Sequence, residues 1–402
     1  MTLTVLLDLD DTLLTNDMDR FLPAYLKLLG KHIKDLFPED QFISTLLAST
    51  RSMVENRQPN LTLEEAFDNS FYPALGIKKD ILEPRLLDFY ENIFPSLRNL
   101  TSPKPFVREL VDHILSEKNK IVIATNPLFP LRAIQLRIEW AGLADYMDRF
   151  EFVTSFETFH FSKPHIEYYA EIISRFCWSE APVVMIGNSL EDDILPAAQL
   201  GIPVYLVSEK PASLPENFPK LSKTGKITDI PDWLKQVQSQ YSSPPSPNRL
   251  GLVAALQATP AAFDHILRTT NSKQWQISPP DAGWNLTEIL CHLRDVDLEV
   301  NYPRLIKILN EPSTFLAGVL SDQWAIERNY KQQNTQSVFL EFITARTKLV
   351  SLIQRLTSDQ WQLPAQHAIF GPTTIQELVS FMYIHDRSHI LQGYQAVLFK
   401  MN

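Results

Sequence analysis

Four short polar clusters in the first half of the chain hold the groups that phosphoryl transfer needs: Asp8 and Asp10, Thr125 and Asn126, Lys163, and Asn188 with Asp192 and Asp193. A carboxylate can attack phosphorus and form an acyl-phosphate that water later opens. A second carboxylate two residues on can protonate the leaving oxygen and then activate that water. Carboxylates crowded together repel, and Mg²⁺ relieves this while neutralising phosphate charge. A threonine hydroxyl, backbone N–H groups and a lysine ammonium can stabilise the equatorial oxygens. Singly, each cluster also reads as an Asx turn, a helix start or a loop. Together and in this order they point to one site.

A second constellation lies in the other half. His385 and His389 are four residues apart, so one helix face carries both, in register with Leu378 and Met382. His292 sits beside the apolar stripe of another helical stretch, between Ile289 and Val296. Three inward imidazoles from two helices make a divalent-metal site with positions open to water or substrate. Cys291 precedes His292 but points about 100° away round the helix, and is read as core. The remaining six histidines show no mutual spacing that suggests ligation.

These residues need elements to hold them. Residues 4–8, 120–125, 183–187 and 204–208 are apolar runs of strand length. Helical patterns at 129–141, 164–176 and 190–200 follow the later strands. Such alternation predicts a doubly wound parallel sheet, an α/β class in which ligands bind beyond the carboxyl ends of the strands. Helix-patterned residues from about 16 to 100, with apolar periodicity at 21–29, 42–54 and 81–93, interrupt it after the first strand. Pro and Ser cluster at 239–248, which reads as a linker. Beyond it, helices near 250–270, 285–309, 335–357 and 373–399 predict an all-α four-helix bundle. The division expected is 1–238, linker 239–248, and 249–402.

Composition narrows the function. The chain has 402 residues, 45% hydrophobic and 21% charged, with a formal net charge of −10. Interspersed charges of that balance give no nucleic-acid face. Two cysteines, Cys177 and Cys291, supply neither a disulfide framework nor a thiolate zinc cluster, which fits a reducing compartment. The N-terminus lacks the basic region of a signal peptide, and no run of 18 apolar residues is evident. A cytoplasmic location is expected.

The order Asp8-x-Asp10-x-Thr12, Thr125-Asn126, Lys163-Pro164 and Gly187-Asn188-Ser189-Leu190-Glu191-Asp192-Asp193-Ile194 resembles the four motifs of the haloacid dehalogenase superfamily. The resemblance covers about residues 1–210. It implies Asp8 as nucleophile and magnesium ligand, and Asp10 as general acid/base touching the metal through its backbone carbonyl. Thr125, with Asn126 beside it, and Lys163 would bind the phosphoryl group. The helical insertion would be the family's cap, which closes over the site and selects substrate. One position departs from the pattern: the fourth motif normally begins Gly-Asp, and Asn188 stands where that magnesium-binding aspartate would be. Asn188 can offer only a neutral carbonyl, leaving Asp193 as the remaining acid, so reduced metal affinity with surviving activity is expected.

Residues 250–399 resemble the DinB-like four-helix family, related to bacillithiol transferases. The resemblance rests on Trp284…His292-Leu-x-Asp, Trp361, Thr373-Thr-x-x-Glu-Leu and His385-Asp-Arg-Ser-His389-x-x-Gln392. It implies His292, His385 and His389 as ligands of Zn²⁺ or Ni²⁺. The function expected is a magnesium-dependent phosphomonoester phosphatase acting on a small phosphorylated metabolite, with a metal-binding companion bundle. A metal-assisted thiol transferase in the bundle, with the first domain secondary, is the alternative. A bundle that only binds or forms a homodimer is a third reading. Neither nucleic acid nor membrane is expected as a partner.

Overall fold

The computed structural model describes residues 2–176, 182–210, 212–241, 246–279 and 283–398. Cys177, the middle of the expected linker (242–245) and part of the loop before Trp284 (280–282) lie outside them. The chain forms two compact units, Met1–Tyr169 with Ser179–Ser246, and Ala170–Trp178 with Pro247–Asn402.

The first unit carries eight strands among its described residues: β1 (Thr4–Leu7), β2 (Leu14–Asn16), β3 (Thr101–Pro103), β4 (Lys120–Ile123), β5 (Phe152–Val153), β6 (Val183–Gly187), β7 (Val204–Val207) and β8 (Lys223–Gly225). Six of them form one parallel sheet in the order β5-β4-β1-β6-β7-β8. The central strands are buried on both faces, which is why their sequences read as unbroken apolar runs. β1 lies between β4 and β6, with Leu7 level with Ile123 and Ile186, so the residues after all three strands emerge side by side.

Between β1 and β4 the chain leaves the sheet. β2 and β3 pair antiparallel, Asn16 opposite Thr101, and close the base of a helical excursion. It holds α1 (Met18–Ile33), α2 (Glu39–Val54), α3 (Leu63–Leu75) and α4 (Lys79–Asp88), then two irregular helical turns. α3 was not singled out in the sequence. A reciprocal Thr62–Glu65 cap starts it and Gly76, at φ 67°, ends it. α5 (Val107–Ser116), α6 (Leu131–Trp140), α8 (Leu195–Gln199) and α9 (Ile230–Gln240) complete the unit's helices, and α7 (Ile166–Phe176) is divided between the two units. The helix expected over 190–200 divides into a wide turn at Leu190–Ile194 and α8, with Pro196 opening the latter.

The second unit is built on α10 (Arg249–Thr269), α11 (Leu286–Val296) continuing through a wide turn into α12 (Tyr302–Asn310), the short α13 (Trp324–Glu327), α14 (Thr335–Ile353) and α15 (Ile375–Leu398). α10 packs on α14 and α15, and α11 on the same two helices. The bundle also carries a small sheet that periodicity did not predict: β9 (Phe315–Leu316), β10 (Pro364–His367) and β11 (Gly371–Thr374). β11 takes residues that had been expected in the last helix, which instead begins after Thr374 exchanges hydrogen bonds with Glu377. By length and composition α10 is apolar enough to cross a membrane, yet 72% of its most apolar window is buried in the structure as a core helix. Many of its buried residues are small and apolar, including Ala254, Ala258 and Ala262.

Candidate functional sites

All eight residues of the first constellation line one cavity of about 260 Å³ at the carboxyl ends of β1, β4 and β6. Lys163 is its buried centre. Its ammonium donates to Asp8 Oδ1 at 2.7 Å and to Asp193 Oδ1 at 2.6 Å. Burial pulls the Lys163 pKa down, but Asp193 and Asp8 outweigh it and hold it well above the ordinary value. Burial, then repulsion from Asp193, pushes the Asp8 carboxyl up to about 7 despite the lysine.

Asp193 is aimed into the site by local chain geometry. Ser189 caps the turn at Leu190–Ile194 by accepting from the Asp192 amide, and its own N–H donates to Asp193 Oδ2 at 3.0 Å. Gly187 makes this possible, because a Cβ there would collide with the Asp193 carboxylate. After β4, the Thr125 carbonyl accepts from Thr154 and Tyr168, both at 2.7 Å, while Asn126 Oδ1 is buried without a partner.

The Asn188 side chain lies where oxygens converge. With its amide nitrogen turned inward it donates to Thr12 Oγ1 at 2.9 Å, the Asp10 carbonyl at 3.1 Å and Asp8 Oδ2 at 3.3 Å. Thr12 in turn donates to Asp8 Oδ2 at 2.9 Å. The Asp10 carboxylate is held from two sides. Asn16 Nδ2 donates to Oδ1 at 2.8 Å, and Arg137 Nη1 donates to Oδ2.

In the second unit, His292 on α11 meets His385 and His389 on α15. His385 Nε2 is 3.1 Å from Nε2 of each of the other two, and the three ligand atoms lie within 4.8 Å of one another. Burial, then the charges of His389 and His385, lowers His292 to about 3. Burial, then His385, lowers His389 to about 4, and burial lowers His385 as well. All three rings are therefore neutral near pH 7, the form that ligates metal. The Trp284 ring stacks parallel to His389, and Gln392 Oε1 lies 2.8 Å from His389 Nδ1, an acceptor that leaves Nε2 free to ligate.

Residues 2–201 match the sequence profile of haloacid dehalogenase-like hydrolases, and residues 255–392 that of the DinB superfamily. The chain is a haloacid dehalogenase-like hydrolase joined to a DinB-superfamily bundle. A candidate metal-dependent hydrolase of Oceanobacillus iheyensis is 26% identical over 174 residues, 42% of this chain and 88% of that protein. Similar solved structures include the 2-haloacid dehalogenase of Pseudomonas syringae pv. Tomato, 19% identical over 59% of this chain and 99% of that one, with a TM-score of 0.42. Bacillus subtilis YfiT, a candidate metal-dependent hydrolase with an unusual four-helix bundle topology, is 17% identical over 38% and 87%, with a TM-score of 0.35.

Sequence reasoning missed Arg137 in the hydrolase unit and the Asp297–Arg346 pair in the DinB unit. Arg137 falls on the stripe of Ala133, Ile134 and Ile138 that α6 buries, and Arg346 on that of Phe342, Leu349 and Val350 in α14. A cation in an apolar stripe is the signal that marks both. Arg346 donates to Asp297 Oδ2 at 2.6 Å, to Asp386 and to the Leu256 carbonyl, and Thr259 also donates to Asp386. These bonds fasten the helix carrying two of the histidines to its neighbours. Asp295, three residues after His292, is occupied by Arg294, Arg328 and Tyr330.

Both donor sets fit the metals the families imply. The oxygens around Asn188 are the hard ligands that a magnesium-sized ion takes. Three imidazole nitrogens suit a borderline ion such as zinc or nickel.

Proposed function

We propose that the hydrolase unit is a magnesium-dependent phosphomonoester phosphatase. The observation that carries this reading is the Lys163 ammonium bonded at once to Asp8, at the tip of β1, and to Asp193, in the turn that follows the adjacent parallel β6. Asp8 is the nucleophile: its oxygen bonds to phosphorus as the ester oxygen leaves, forming an aspartyl-phosphate. Asp10, held by Asn16 and Arg137, gives the departing oxygen its proton and then takes one from the water that opens the acyl-phosphate. Lys163, the Thr125 hydroxyl and the Asn126 amide face the phosphoryl oxygens. Magnesium would be held by Asp8, the Asp10 carbonyl, Asn188 and Asp193, and would supply neutralising charge to the phosphoryl group. Turnover of p-nitrophenyl phosphate that requires Mg²⁺ and disappears in Asp8→Asn tests the reading. No turnover across a broad phosphate panel would refute it.

For the DinB unit we propose a divalent centre, Zn²⁺ or Ni²⁺, on His292, His385 and His389, serving metal-assisted chemistry such as thiol transfer. A cavity of about 230 Å³ borders His385 and supports a substrate-binding role over a purely structural one. Metal content of the purified chain, compared with that of His385→Ala, tests the centre; equal content in both would refute it.

A further inference from the structure

We propose that the hydrolase unit's substrate is an amphiphile: a phosphate monoester whose other end is an apolar chain or ring system lodged among the inserted helices. This rests on the phosphatase reading above.

A cavity of about 450 Å³ lies between the helical insertion and the loop that follows β4, within the size range of small-molecule sites. Leu22, Leu26, Leu46, Leu47, Phe67 and Leu86 contribute to its walls. It adjoins the Asp8 cavity, because Met18, Leu128 and Phe129 line both. A molecule with its phosphorus at Asp8 therefore has an apolar chamber as the neighbouring space.

Among the described residues the chamber offers no unpaired cation for a second anion, and most of its polar groups are engaged; Glu157 Oε2, an acceptor buried without a partner, would itself repel an anion. The two cations are ion-paired, Lys79 with Glu64 and Asp68 at 2.7 Å each, and Arg132 with Glu91 at 2.9 Å. The hydroxyls of Tyr25 and Tyr90 bond to each other at 2.9 Å, and that of Thr50 donates to the Leu46 carbonyl. Meanwhile Leu47 and Leu87, both lining the chamber, remain 45% and 58% exposed. Exposed leucines gathered at one concavity gain when an apolar ligand covers them.

The test uses the full chain with Mg²⁺ and a series of n-alkyl phosphates from ethyl to octyl. Alongside it, calorimetry compares the binding of ethylphosphonate and octylphosphonate, which cannot be hydrolysed. Each added methylene should raise kcat/KM about threefold until the chamber is filled, mostly through KM, as expected of burial in an apolar site. Octylphosphonate should bind more tightly than ethylphosphonate, and Leu47→Asp and Leu87→Asp should each flatten both trends. Turnover without chain-length dependence, and equal binding of the two phosphonates, would overturn the proposal while the phosphatase reading stands. No turnover of any ester, with octylphosphonate still preferred, would instead overturn the phosphatase reading and leave the apolar chamber as a binding site.

Discussion

Arg137, buried on α6, donates from Nη1 to the carboxylate of Asp10, and its guanidinium lies over the Phe129 ring at 4.8 Å. The pair fixes the carboxylate proposed to exchange protons with substrate and water. Arg137→Met should lower kcat more than tenfold for ethyl phosphate and less for p-nitrophenyl phosphate, whose leaving oxygen needs little protonation. Arg137→Lys should recover part of the loss. An equal loss on both esters, in steady-state kinetics, would assign the arginine a role in stability alone.

In the metal-free protein, the contribution of Asp8 to stability should fall as pH rises. Asp8 is held at about 7 in the fold against an ordinary 3.8, so between these values the folded state carries a proton that the unfolded chain has released. The contribution is complete below about 3.8 and is lost as pH climbs through about 7. Thermal melts in chelator should show stability changing with pH less favourably in the wild type than in Asp8→Asn, since the three neutral histidines of the bundle add the opposite slope equally to both. Identical slopes would refute it.

Asn188→Asp should tighten magnesium binding about tenfold or more, since a neutral amide gives way to an anion beside Asp8 and the Asp10 carbonyl. In the absence of metal the same change should lower the melting temperature, because a further carboxylate joins Asp8 and Asp193. Magnesium titration by calorimetry, with melts in chelator, measures both. Unaltered affinity would place Asn188 outside the metal site.

Arg346→Met should destabilise the DinB unit by about 3–5 kcal/mol, the usual effect of stranding buried charge. Asp297 and Asp386 both lose their cation. Chemical denaturation followed by tryptophan fluorescence measures the loss, and a change below about 1 kcal/mol would contradict it.

Short elements were the least legible. β5 has two residues, and β2, β3 and β9 only two or three, too few for a period to emerge. Their pairing depends on the partner strand that folding brings alongside. β11 contains Gly371 and Pro372, which read as loop until His367 and Gln366 supply the opposing edge. Arg137 and Arg346 were hidden for another reason. A buried cation makes sense only once its carboxylates are located, and Asp10 lies 127 residues from Arg137 and Asp297 lies 49 from Arg346.

The amino-acid order alone determined the parallel sheet, the inserted helices and the strand tips bearing Asp8, Thr125 and Asn188. Strands buried on both faces must be continuously apolar, so polar residues at their ends mark where the chain emerges. It likewise determined that His385 and His389 share a helix face. The tertiary structure decided which groups meet: Lys163 between Asp8 and Asp193, Arg137 on Asp10, His292 against His385, and an apolar chamber next to the acidic cavity. Such contacts join residues far apart along the chain, and no local period records them, because packing and charge pairing act through space.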